Sequence, residues 1–194
     1  MQQNNCWRFV LGPTDRGDIG STSIKKDINP LIYQQKIHVN SNYPMSHICL
    51  TYHIIWRTKY SQRTITEEYE RNLYAYIYGI CQEKKCTLFR INSMPDHVHI
   101  CVEIHPSISV SDFMKVLKQE SSRWLKEHKE WFPGFYTWGN GYAAFSYSQK
   151  DRRNVIEYIK NQKVHHRTVS FKDEYMSMLQ EFGLSPEKDR FLDD

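Results

Sequence analysis

The chain has 194 residues, 40% hydrophobic and 14% aromatic, which is enough apolar side chain to bury one core, and it holds no apolar run of about 18 residues that would cross a membrane as a helix. Its five cysteines, Cys6, Cys49, Cys81, Cys86 and Cys101, are irregularly spaced with no Cys-x-x-Cys pair, which excludes a disulfide scaffold and a Cys-based zinc site. The formal net charge of +4 is unevenly spread: seven acids against two bases over residues 173–194 leave that stretch at −5 and everything before it at +9, a basic body suited to a polyanion.

Residues 1–44 mix Gln, Asn, Gly, Ser, Asp and Pro without periodicity and read as a poorly ordered extension, with the folded domain running from Met45 to residue 168. The apolar run from Trp7 to Leu11 is too short for a secretion signal, so a reducing cytoplasm is the expected location. His47 to Arg57 is rich in β-formers and reads as the first strand, followed by the basic residues Lys59 and Arg63. Thr66 reads as a helix N-cap, with Glu67 and Glu68 in the first turn where they suit the helix dipole. That helix is predicted to reach about Lys85, with Leu73, Tyr76, Ile77 and Ile80 on its buried stripe and Cys81 and Cys86 as packing or surface residues.

Thr87 to Asn92 reads as a second strand, and the Pro95-Asp96 turn leads into a third. From His97 to Ile104 polar and apolar residues alternate, which puts His97, His99, Cys101 and Glu103 on one face and Val98, Ile100, Val102 and Ile104 on the other. Ser109 or Ser111 caps a second helix with Phe113, Val116, Leu117, Trp124 and Leu125 inward and Lys115, Lys118, Arg123 and Lys126 outward, ended by Pro133-Gly134. A short strand at Tyr136 to Trp138, a Gly139-Asn140-Gly141 turn and a strand at Tyr142 to Tyr147 complete the order β-α-β-β-α-β. This is the order of a ferredoxin-like α+β sandwich: an antiparallel sheet with two helices on one face and the other face free. A basic helix from Asp151 to Arg167 follows, with Val155, Ile156 and Ile159 inward and Tyr158 and Gln162 four apart along one edge. Residues 169–194 read as an acidic tail.

Two neutral imidazoles side by side on a strand are half of a divalent-metal site. With a third, oxygen ligand, His97 and His99 would leave positions open on a Mg²⁺ or Mn²⁺ ion to polarise a phosphodiester, and the same pair suits zinc; the alternative is two partly exposed strand histidines. Tyr158 is one of 13 tyrosines. A phenol, with an unperturbed pKa of ~10, needs a base, a cation or a metal-polarised substrate to attack at neutral pH, and on spacing alone Tyr158 reads as a structural helix residue. His165 and His166 read as extra ligands, phosphate contacts or solvated residues near a helix C-terminus.

Met94-Pro95-Asp96-His97-Val98-His99 resembles the HUH motif (His, hydrophobic, His) of the small single-tyrosine transposases of bacterial insertion sequences, a group that includes the REP-associated tyrosine transposases. Tyr158-Ile159-Lys160-Asn161-Gln162 resembles their Tyr-x-x-x-Gln helix motif, and Tyr52 to Tyr60 and Trp138 to Tyr142 match in the same order. The resemblance implies a metal-dependent endonuclease and strand transferase for single-stranded DNA, with His97, His99 and Gln162 as metal ligands and Tyr158 as the nucleophile that forms a 5′-phosphotyrosine link. It further implies Mg²⁺ or Mn²⁺ as cofactor, no nucleotide cofactor, DNA hairpins as partners, a bacterial cytoplasmic location and a homodimer, commonly with each tyrosine helix serving the partner's His pair. Arg57, Lys59, Arg63, Lys118, Arg123, Arg152 and Arg153 are the expected phosphate contacts, with Tyr60, Trp138 and Tyr142 as stacking or packing residues. Other readings are a domesticated hairpin-cutting relative, a non-catalytic nucleic-acid-binding module on the same scaffold, and a hydrolase with a His-x-His-x-His strand; Cys101 at the third position counts against the last.

Overall fold

The computed structural model describes residues 48–186 and 191–193. The extension expected over 1–44, the Met45 boundary and Cys6 lie outside them. Four strands, β1 (Thr51–Arg57), β2 (Thr87–Ser93), β3 (His97–Glu103) and β4 (Ala143–Tyr147), form one antiparallel sheet in the order β2-β3-β1-β4. Helices α1 (Glu70–Glu83) and α2 (Val110–Glu127) connect them in the expected α+β order, and α3 (Arg152–Lys160), α4 (Gln162–His165) and α5 (Phe171–Glu181) follow.

The alternation in β1 and β3 builds the main core. Register pairs Trp56 with Val98, Ile54 with Ile100 and Tyr52 with Val102, so these side chains share one face of the sheet. They pack against Leu73 and Ile77 of α1 and Phe113, Met114, Leu117 and Leu125 of α2. Each such buried side chain stabilises the fold by roughly 1.5–3 kcal/mol. Ser109 is the cap of α2, its Oγ accepting from the Asp112 N–H at 3.0 Å.

Several local expectations are corrected. β1 begins at Thr51 rather than His47, because residues 48–50 are exposed and lie outside the strand. Thr66 is not the cap of α1: its hydroxyl donates to the Trp131 carbonyl at 2.7 Å, and the helix starts at Glu70. Tyr136 to Trp138 is not a strand but a single bridge from Trp138 to Thr58. Trp138 is core, edge-on to Trp56 with ring centroids 5.8 Å apart, and its indole N–H donates to Ser121 Oγ at 3.0 Å. Ser121→Ala is therefore expected to lower unfolding free energy by about 1–3 kcal/mol in denaturant titration, because the buried indole N–H loses its acceptor.

The basic stretch predicted as one helix is two, broken at Asn161. Asn92 of β2 donates its side-chain N–H to the carbonyls of Ile159 at 2.8 Å and Lys160 at 3.4 Å, occupying the oxygens that would have continued the ladder. Lys163 of α4 is tied to Glu67 at 2.8 Å and Glu70 at 2.6 Å beside the start of α1.

The second face of the sheet is covered, not free. Val155 and Ile159 of α3 pack on Cys101, while Tyr175, Met178 and Leu179 of α5, with Phe191, pack on Ile55, Ala143 and Phe145. The stretch read as an acidic tail thus contains an amphipathic helix. Ser170 caps it, accepting from the Asp173 N–H at 3.2 Å, and Tyr175, Met178 and Leu179 recur on its buried side. A boundary at residue 168 cuts through this packed unit. Among the described residues no helix is long and apolar enough to cross a membrane.

Candidate metal and tyrosine site

The site lies on the face of the sheet opposite α1 and α2. Register sets Arg57 beside His97, Ile55 beside His99 and His53 beside Cys101, with Asn92 flanking His99 from the other strand. His97 and His99 are both buried, their ring centroids 5.0 Å apart, which removes the reading of two partly exposed strand histidines.

Each imidazole is oriented through Nδ1. His97 Nδ1 is 2.7 Å from Asp96 Oδ1, His99 Nδ1 is 3.0 Å from His53 Nε2, and His166 Nδ1 donates to the Val169 carbonyl at 3.0 Å. A partner of this kind at Nδ1 fixes the ring and directs Nε2 at a metal. His97 Nε2 and His166 Nε2 are 3.0 Å apart. Glu174 Oε2 lies 3.1 Å from His166 Nε2 and 3.6 Å from His99 Nε2. One ligand atom from each of His97, His99, His166 and Glu174 falls within 4.8 Å of every other. His99 Nε2 and Glu174 Oε2 are buried and make no oriented hydrogen bond. Metal–nitrogen bonds of about 2.0–2.1 Å separate neighbouring ligands by about 3 Å, so this donor set fits a divalent cation.

The electrostatics agree. Burial lowers His97 and His99 and brings His53 down to about 4, which keeps these imidazoles neutral, the form that ligates. For His166 burial is outweighed by the neighbouring Glu174, and its pKa is raised. Burial would raise Glu174, but the contact with His166 and the donors from Tyr158 and Gln162 hold it well below the usual carboxylate range.

Tyr158 and Gln162 converge on that carboxylate. The Tyr158 hydroxyl donates to Glu174 Oε1, and Gln162 Nε2 donates to the same oxygen at 2.7 Å. Gln162 Oε1 is buried without a partner. Burial first, and the Glu174 charge second, push the Tyr158 phenol above its ordinary range. Its ring meets His53 edge-on at 5.9 Å. The sequence-predicted His97, His99, Tyr158 and Gln162 are thus gathered in one chain. Glu174 was missed, His166 was left open, and His53 and Asp96 were given no part. The signal for Glu174 was the Ser170-x-x-Asp173 cap ahead of an apolar stripe.

The predicted phosphate contacts divide. Arg57 is corrected to a buried residue: its Nε donates to the Phe191 carbonyl at 2.9 Å and its Nη1 to Ser61 Oγ at 2.7 Å. Lys118 Nζ is held by the carbonyls of Gly139, Asn140 and Gly141 at 2.6–3.2 Å, and Arg152 faces Glu103 at 3.5 Å and the Phe89 ring. Arg63, Arg123 and Arg153 are exposed, with Arg123 paired to Glu120. Lys59 lies over the ring of Tyr60, which is 65% exposed and has left-handed backbone, φ 57°. Across the sheet from the histidines, a cleft of about 540 Å³ is lined by Lys118, Arg123, Lys126, Trp138 and Asn140.

The family described as "Transposase IS200 like" matches residues 46–162. This chain belongs to that family. The IS200-like transposases are enzymes that cleave and transfer DNA, and the matched segment takes in His97, His99, Tyr158 and Gln162 but stops short of His166 and Glu174. The chain is 29% identical over 117 residues to the ISDra2 transposase TnpA of Deinococcus radiodurans, covering 58% of this chain and 84% of that protein. It is 30% identical over 115 residues to the transposase of insertion sequence IS200 from Salmonella typhimurium, covering 57% of this chain and 75% of the relative. A REP-associated tyrosine transposase solved with a REP hairpin shares the fold, with a TM-score of 0.50 at 15% identity over 66% of this chain and 76% of that one.

Proposed function

We propose that this transposase is a metal-dependent single-stranded DNA endonuclease and strand transferase whose nucleophile is Tyr158, acting at hairpin-marked ends. The observation that carries the reading is the placement of the Tyr158 hydroxyl on the carboxylate that also faces His97, His99 and His166. His97 and His99, with Gln162 beside them, would hold Mg²⁺ or Mn²⁺. When bound, such an ion supplies Lewis-acid polarisation of the scissile phosphate and charge stabilisation for the leaving oxygen.

The chain's own residues do the rest. The Tyr158 oxygen attacks the scissile phosphorus as its proton passes to Glu174 Oε1, the bond from phosphorus to the 3′ oxygen breaks, a proton returned to that oxygen frees it as a 3′-hydroxyl, and the strand remains joined to Tyr158 through its 5′ phosphate. A 3′-hydroxyl at a new junction reverses the step, so the bond energy is conserved and no nucleotide cofactor is needed. α3 holds the phenol in place through Val155 and Ile159 against Cys101. Arg63, Arg123 and Arg153 supply phosphate contacts from exposed positions, and Tyr60 offers a stacking surface. In this reading the enzyme works in the bacterial cytoplasm as a homodimer. Each chain's tyrosine serves its own His pair in cis, a reading supported by the Tyr158 hydrogen bond to Glu174, which faces His99 at 3.6 Å.

The test is incubation of the purified chain with single-stranded hairpin DNA from either side of its coding sequence, with Mg²⁺ or Mn²⁺ or with chelator. Denaturing electrophoresis and peptide mapping are expected to show a covalent DNA adduct on the Tyr158 peptide, dependent on the metal. Cleavage without an adduct, or an adduct on another tyrosine, would overturn the proposal.

A further inference from the structure

We propose that Glu174 is itself a ligand of the divalent ion, so that α5, beyond the family-matched residues 46–162, completes the metal site. The inference rests on reading His97 and His99 as metal ligands and says what closes the set around them. Glu174 is 2% exposed, and its two oxygens are differently engaged. Oε1 is taken by two donors, the Tyr158 hydroxyl and Gln162 Nε2, while Oε2 has no oriented donor and faces the Nε2 atoms of His166 and His99. The Nε2 atoms of His166 and His99 lie 3.1 Å and 3.6 Å from that oxygen, and one atom from each of His97, His99, His166 and Glu174 falls within 4.8 Å of every other, the convergence of a ligand set on one ion. A divalent ion among the three Nε2 atoms and Oε2 satisfies the carboxylate and the lone pair of His99 together.

The amide of Gln162 is oriented by the same logic. Its nitrogen, not its oxygen, must face the carboxylate, since two acceptors 2.7 Å apart would repel, so this contact fixes Glu174 rather than competing with it. One carboxylate then joins the metal position to the nucleophile. The anchoring of α5 by Tyr175, Met178 and Leu179 on Ile55, Ala143 and Phe145 makes that delivery rigid.

Calorimetric titration of Mn²⁺ into the full chain without DNA tests this. Glu174→Ala and the isosteric Glu174→Gln are both expected to raise the Mn²⁺ Kd at least about tenfold, with a changed electron paramagnetic resonance spectrum of bound Mn²⁺. Glu181→Gln, exposed on the same helix, is expected to leave both unchanged. Circular dichroism checks folding, and Glu174→Gln preserves the size of the buried side chain should the alanine variant unfold. Wild-type Kd in Glu174→Gln would overturn the inference. Because no DNA is present, this result is independent of whether Tyr158 is the nucleophile, which the adduct assay decides on its own.

Discussion

Replacing Tyr158 by Phe is expected to reduce strand cleavage and covalent adduct by at least about 10³-fold, since a nucleophile's oxygen has no substitute in the site. The ring contacts survive the change: the phenylalanine still meets His53 and still packs beside Val155 and Ile159. What is lost is one hydrogen bond to the buried Glu174 carboxylate, a stability change of about 1.5–3 kcal/mol, small enough for the variant to fold and to bind Mn²⁺. Tyr147→Phe is the control. Tyr147 lies on the same sheet face, its ring 6.4 Å from His53, so it shares the neighbourhood, while the donors to Glu174 Oε1 are Tyr158 and Gln162. Gel assays on both variants decide the matter: adduct persisting in Tyr158→Phe and vanishing in Tyr147→Phe would move the chemistry from α3 to β4 and overturn the assignment.

The His strand was legible because its alternation is strict and the core face takes only apolar residues. Arg57 could have been read the same way. It shares the parity of His53 and Ile55, residues of the covered face, so its basic side chain was bound to point inward once that face was covered. The break at Asn161 was beyond local pattern, since it depends on Asn92, which is distant in sequence and reaches the carbonyls only after β2 is in place. Glu174 was hidden for a different reason. Net charge over residues 173–194 makes the stretch look solvated, and only the spacing of Tyr175, Met178 and Leu179 shows that one side of it is apolar. Nothing in the sequence pairs Glu174 with His99, because that contact exists only through the packing of α5 on β1 and β4.

That packing makes α5 a structural requirement as well as a chemical one. A chain ending at Thr168 is expected to lose its cooperative unfolding transition and to bind an apolar dye such as ANS. Removal of α5 and Phe191 uncovers Ile55, Ala143 and Phe145 and discards the buried side chains of Tyr175, Met178, Leu179 and Phe191. At roughly 1.5–3 kcal/mol for each of those four, the loss is on the order of 6–12 kcal/mol, comparable with the whole stability of a domain at about 5–15 kcal/mol. Arg57 loses its hydrogen bond to the Phe191 carbonyl at the same time. The main core between the sheet and α1 and α2 is untouched, so far-ultraviolet circular dichroism is expected to retain most of its intensity while near-ultraviolet signals fade. A truncated chain with a sharp thermal transition near that of the full protein would show that the second face of the sheet tolerates solvent, and that Glu174 is carried by a helix the fold can do without.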